Sequence, residues 1–206
     1  VSTNENVLVI PSEHIPGLSS LSGFDGNVDL AVRPVLESSA LRFMPRSEAE
    51  TNENFKQIIP YVMIRYFNEH LAARYYTYVR GNAQGEARLH AKVSFGVGGH
   101  INDQDSQDPF KAFLPGTIRE IKEEVTMQTD VVFSPEVVGA VYDPTTSVGR
   151  VHYGIVMVLH ASHESAVKNN DASAENIRWQ SVVELRQNTN LEAWSRLCLS
   201  GLHPPK

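Results

Sequence analysis

Apolar, β-branched and aromatic residues gather in three strand-length runs at 58–67, 72–80 and 88–97, and Gly81-Asn82 to Gly85 reads as a hairpin turn between the last two. Together they predict an antiparallel sheet. Runs at 131–142 and 151–161 add two more strands, the second largely apolar and read as buried, and residues 7–11 form a further short strand candidate. The period changes at 114–125, where Leu114, Ile118, Ile121 and Val125 recur at helical spacing and predict a core-facing stripe. Helical spacing returns near Val182 and over 191–199. Between these elements lie a loop rich in Gly, Ser and Pro to about Pro34, a mixed stretch at 36–53 and a polar loop at 162–175. The polar segment 47–54 divides the chain into an N-terminal extension, 1–55, packed on or beside a core formed by 56–206. Whether that extension supplies a substrate wall or a homodimer contact stays open.

The other side of the predicted helix at 114–125 is acidic. Arg119-Glu120-Ile121-Lys122-Glu123-Glu124 sets three carboxylates on one face, and the i±3 and i±4 positions offer a cation to Glu123 alone, in Arg119. Most charge runs are solvated surface. Like charges at this spacing cost about 0.2–0.5 kcal/mol a pair, whereas a hard divalent cation reverses the sign, because magnesium takes clustered carboxylate oxygens together with water and phosphate. The start of this helix is ambiguous. Asp108-Pro109 makes a good cap and first turn, but Pro115-Gly116 predicts a break, so the continuous helix is expected to open near Pro115 with Glu120 close to the positive end of its dipole. Upstream, Ser94-Phe95-Gly96-Val97-Gly98-Gly99-His100 ends a strand in a glycine cluster where backbone can approach a ligand or metal closely.

Composition narrows the function. A chain of 206 residues that is 41% hydrophobic can bury a substantial core. The single cysteine, Cys198, rules out an intrachain disulfide, and its helical spacing with Trp194 and Leu197 reads as a buried thiol. No apolar run reaches the roughly 18 residues that span a membrane, and no signal-peptide pattern opens the chain, so a cytoplasmic protein is expected. A formal net charge of -6 argues against a long nucleic acid as partner, though not against a small nucleotide that arrives with a cation. His160 and His163 have no Cys or His at metal-ligand spacing and read as structural, while His100, which follows the glycine pair and could meet a phosphate, reads as a turn histidine bonded to backbone. Tyr142, Tyr153 and Trp179 read as core.

The glycine cluster and acidic helix together resemble the Nudix hydrolase family, whose signature is Gly, five residues, Glu, seven residues, then Arg-Glu-U-x-Glu-Glu-x-Gly-U with U aliphatic. Arg119, Glu120, Ile121, Lys122, Glu123 and Glu124 fill the second half in order, and Gly98-Gly99 stands at its opening glycine. The likeness extends over about 57–200, with Trp179 and the following Glu184-Leu185 in the family's order. Two departures stand out. Nineteen residues separate Gly99 from Arg119 where the signature has thirteen, and no Glu occupies the loop, leaving Asp103, Asp105 or Asp108 to substitute. The terminal Gly is Thr126, which removes the residue suited to a left-handed helix end.

The resemblance implies an α/β (α+β) fold, an α/β/α sandwich with a mixed central sheet, and hydrolysis of a diphosphate in a nucleoside diphosphate joined to another group. It implies magnesium or manganese held by Glu120, Glu123 and Glu124 with a backbone carbonyl of Gly98 or Gly99, and Arg119 orienting a carboxylate. The family draws its general base from the box helix or from a late loop, which makes Glu120 the first candidate and Glu164 and Glu175 the next. The lengthened, Glu-less loop keeps a second reading in play, a catalytically silent module that senses a nucleotide-like ligand. A third, an isoprenyl diphosphate isomerase, needs a cysteine in the cleft, and Cys198 lies in the last helix.

Overall fold

The computed structural model describes residues 5–79, 92–127, 134–170 and 175–204. Its elements are β1 (Asn6–Pro11), β2 (Gly23–Asp25), α1 (Arg33–Leu36), β3 (Arg42–Pro45), α2 (Arg46–Ala49), β4 (Phe55–Phe67), β5 (Ala73–Val79), β6 (Val93–Ser94), α3 (Pro109–Glu124), β7 (Val125–Met127), β8 (Glu136–Tyr142), α4 (Ser147–Arg150), β9 (His152–His160), β10 (Val167–Asn169), β11 (Glu175–Ser181), α5 (Val182–Gln187) and α6 (Ala193–Leu202).

The apolar runs at 58–67 and 151–161 become the central strands β4 and β9, which pair in parallel from Gln57↔His152 to Arg65↔His160. The other ladders, β4 with β5, β8 with β9 and β5 with β11, are antiparallel, so the sheet is mixed, in the order β11-β5-β4-β9-β8-β2. Alternation assigns its two faces. Ile58, Val62 and Ile64 of β4, with Tyr153, Ile155, Met157 and Leu159 of β9, share one cluster with Ala112, Ile121 and Val125 of the acidic helix and its exit. Tyr61, Met63, Val156 and Val158 point the other way, onto Leu185 of α5 and Cys198 and Leu199 of α6. Helices therefore cover both faces, giving an α/β/α sandwich. Tyr142 and Tyr153 are buried in it, as is the Cys198 thiol, while Trp179 packs edge-on against Tyr66 and Tyr76.

The N-terminal 55 residues are woven into this sheet. β1 pairs with β4 through Val9↔Gln57 and with β3 through Val7↔Met44, and β2 pairs with β8. Leu8 and Ile10 enter the same cluster as α3, and Val7 and Val9 pack with Met44 and Ala49 on the opposite face.

Several sequence expectations change. The helix does not begin at Pro115. It opens at Pro109, where the Asp108 carboxylate accepts from the Phe110 N–H, and continues through Pro115 to Glu124. Proline forfeits one intrahelical bond, but Ala112, Gly116 and Thr117 are buried and hold that stretch in helical register. Glu120 consequently lies in the C-terminal half of α3, away from the positive end of the dipole. The buried stripe also rotates: Ile121 and Val125 are core, Ile118 is half-buried and Leu114 is 55% exposed. Thr126 is harmless because Val125 leaves the helix in extended conformation (φ -140, ψ 144) directly into β7, so no left-handed residue is needed. The loop expected at 162–175 contains β10, which pairs with β7. The predicted hairpin turn at 81–85 and the first residues, 131–133, of the strand expected at 131–142 lie outside the described residues, and the rest of that strand is described as β8. Among the described residues no helix is long and apolar enough to cross a membrane.

Because β1 is part of the sheet, Leu8→Ala should lower the unfolding free energy by about 2–5 kcal/mol, the usual cost of emptying a buried leucine site. Urea denaturation followed by circular dichroism measures this, and a loss under about 0.5 kcal/mol would show β1 to be dispensable.

Candidate active site at the acidic helix

The chain after β6 is placed between two strands. Val97 bridges Val62 of β4, and by Asn102 the same segment bridges Val7 of β1. At its start the Gly96 carbonyl lies within reach of the Ser94 and Tyr78 hydroxyls, at 2.9 and 3.1 Å. Gly98 then passes where only glycine fits, and Gly99 lies directly against the Glu120 carboxylate. A Cβ on Gly98 would lie 1.9 Å from the Pro60 carbonyl oxygen, and one on Gly99 would lie 2.1 Å from Oε2 of Glu120. The glycine pair and the acidic helix, separated in sequence by nineteen residues, thus meet at one place.

Arg119 organises that meeting. Its Nε donates to Asp105 Oδ1 at 2.7 Å and its Nη2 to Asp105 Oδ2 at 2.9 Å, a bidentate pair with a carboxylate only 3% exposed. Nη2 also donates to the His100 carbonyl at 2.9 Å, and Nη1 donates to Glu120 Oε1 at 2.8 Å and to Glu123 Oε1 at 3.3 Å. The five N–H groups of the guanidinium are matched by five acceptor contacts. The hydrogen bonds to Asp105 raise the Arg119 pKa further above its ordinary value, so it is a permanent cation. The contact with Glu120, one residue along, was not visible in helical i±3 and i±4 spacing. It arises because Asp105 draws the side chain back over the helix.

Glu120 is partly buried, with 14% of its side chain exposed, and burial pushes its pKa up, an effect that Arg119 opposes. Glu123 is outward, with 58% of its side chain exposed, and Glu124 is half-buried as the last residue of α3. With Arg119 spanning Glu120 and Glu123, no three His, Cys, Asp or Glu side chains among the described residues are grouped to hold an ion. Glu175 opens β11 opposite Val79, and its side chain lies outside the described residues. Glu164 sits at the surface and accepts from the Tyr66 hydroxyl at 3.4 Å.

Of the three aspartates weighed as substitutes for the missing loop glutamate, Asp105 is the one that reaches Arg119. Asp103 accepts from Asn6 and Asp108 caps α3. Two residues had no signal in sequence. His152 lies 52 positions from His100, yet their Nε2 atoms are 3.3 Å apart, so His100 bonds a second ring rather than backbone. Gln57, paired with His152 in the sheet, is fully buried, and neither of its amide atoms has a hydrogen-bond partner among the described residues. His160 and His163 stay at the surface, beside Arg65 and Ser165.

No family model matches the chain. Protein YmaB of Bacillus subtilis (strain 168) is 33% identical over 207 residues, covering 97% of this chain and 98% of YmaB. The crystal structure of Tm1382, assigned to the Nudix hydrolases, is similar with a TM-score of 0.74 at 28% identity, over 96% of this chain and 98% of that one. The Nudix domain of Shewanella oneidensis NrtR, solved with ADP ribose, shares the fold alone, with a TM-score of 0.50 and 12% identity over 71% of this chain and 83% of its own. The near full-length likeness to YmaB and Tm1382, the mixed-sheet sandwich and the meeting of Gly98-Gly99 with Arg119-Glu120 lead to one assignment: the chain belongs to the Nudix hydrolase family.

Proposed function

We propose that the protein hydrolyses a diphosphate linkage in a nucleoside diphosphate joined to a second group, with magnesium or manganese held by Glu120, Glu123 and Glu124 and a backbone carbonyl of Gly98 or Gly99. The observation that carries this reading is the contact of Gly99 with the Glu120 carboxylate, a cradle that a single methyl group would fill. The donor set fits a hard divalent ion, being carboxylate and carbonyl oxygen throughout. When bound, such an ion would neutralise diphosphate charge and lower the pKa of a coordinated water.

The chain's own groups then have distinct tasks. Arg119 fixes Oε1 of Glu120 and leaves Oε2 against the glycine backbone, so the carboxylate is oriented before substrate arrives. Glu120, at the meeting of the helix and the glycine loop, is the first candidate to accept a proton from water. Glu175 remains the second candidate for that role. Asp105 does what the signature's loop Glu position leaves undone, holding Arg119 by two bonds from within the lengthened loop. Glu123 has the exposure to exchange Arg119, at 3.3 Å, for a cation.

A second reading, a Nudix-fold sensor that binds without turnover, is favoured by the occupation of Glu120 and Glu123 by Arg119 and by the absence of a ready three-carboxylate cluster among the described residues. The NrtR domain was solved with ADP ribose, itself a nucleoside diphosphate joined to a second sugar, and that ligand class is shared by both readings.

With magnesium or manganese, the purified protein should release phosphate-containing products from some member of a panel of nucleoside diphosphate derivatives, and chelation should stop the release. Glu123→Gln or Glu124→Gln should abolish it. Binding of a panel member by calorimetry with no turnover would instead establish the sensor. Separately, Asp105→Asn should cost about 1.5–3 kcal/mol of stability, the range for a hydrogen bond to a charged group, and lower turnover more than it raises KM. Turnover equal to wild type would remove Asp105 from the site.

A further inference from the structure

The glycine loop is held by two elements. Gly99 lies against the Glu120 carboxylate of α3, and the ring of the next residue, His100, meets His152 of β9. The His152 Nδ1 is 2.7 Å from the Val148 carbonyl of α4. A carbonyl only accepts, so Nδ1 carries the proton and donates it, and the Nε2 of neutral His152 presents a lone pair to His100. The His100 Nε2–H therefore donates to His152, and the His100 carbonyl accepts from Arg119. An unbroken chain of bonds runs from Val148 through both imidazoles to the backbone beside Gly99, and from there through Arg119 to Glu120.

Nothing in the hydrophobic core calls for this arrangement. His152 is 6% exposed at the start of a strand whose next seven residues are also buried, and Gln57 beside it carries a fully buried amide without a partner among the described residues. An unpaired amide there costs about 1–3 kcal/mol, an expense that an apolar residue in either place would avoid, unless a buried water serves it. Arg46, which faces His100, is matched by Glu5 and Glu50 at 2.8 and 3.0 Å, and Arg119 by Asp105, Glu120 and Glu123, so no unbalanced cation accounts for the ring pair.

We propose that His152 is a positioning residue for the metal-holding loop, acting through the His100 ring to fix the backbone of Gly98 and Gly99 against Glu120. The inference rests on the reading above, in which those glycine carbonyls and the box glutamates hold a divalent ion. Groups that orient a metal's ligands typically change metal affinity 10- to 100-fold when lost.

The test is manganese affinity, read from the free Mn2+ signal by electron paramagnetic resonance on the intact chain, alongside thermal unfolding without metal. His152→Leu should weaken Mn2+ binding by about 10- to 100-fold. His152→Gln, whose amide oxygen can still accept from His100, should restore most of it, whereas a purely structural histidine would give variants that differ in melting temperature and not in affinity. Should His152→Leu fail to fold, His152→Asn keeps the donor to Val148 but is too short to reach His100, and should show the same loss. Wild-type affinity in a folded Leu or Asn variant overturns this proposal alone. A wild type that binds no Mn2+ overturns the metal-dependent reading and this proposal with it.

Discussion

One guanidinium ties the site together. Arg119 joins the lengthened loop through Asp105, the glycine segment through the His100 carbonyl and its own helix through Glu120 and Glu123, and each contact lies within hydrogen-bonding distance. Without it the half-buried and buried carboxylates of this region would repel one another in a poorly solvated space, and the loop from Asn102 to Asp108 would have little reason to fold back on α3. Arginine suits the task because its planar fork serves several acceptors at once, which a lysine ammonium cannot do in the same geometry.

The sheet supplies the frame on which that interaction depends. Strands β4 and β9 present alternate residues to helices on opposite faces, and the segment carrying Gly98 and Gly99 is wedged between β4 and β1, anchored at Val62 and at Val7. Since β1 belongs to the first 55 residues, the N-terminal portion borders the site through backbone pairing, and Glu5 and Asn6 reach Asn102 and Asp103 of the same loop. The position of the glycine backbone is thus determined by both halves of the chain.

What could be read from sequence was what lies close together in it. Arg119 to Glu124 are consecutive, so their shared helix was legible, as were the long apolar runs that became β4 and β9 and the short apolar run at 7–11 that became β1. Elements decided by distant contacts were not. The passage of α3 through Pro115 follows from burial of Ala112, Gly116 and Thr117, which outweighs one lost backbone bond. The three-residue strands β7 and β10 are too short to carry a period. Asp105 could not be separated from Asp103 and Asp108 until the loop was seen folded, and no spacing links His100 to His152, which meet only because the strand pairing brings β9 alongside β4.

The account's central claim is that the carboxylates beside Arg119 exist to hold a divalent ion against the glycine loop. A crystal structure of the protein grown with manganese, examined for anomalous scattering, tests it most directly. The account predicts a manganese peak bonded to oxygens of the Glu120, Glu123 and Glu124 set next to Gly98 and Gly99, with Glu123 released from Arg119. A structure in which Arg119 still bridges Glu120 and Glu123, with no anomalous peak beside them, would contradict it.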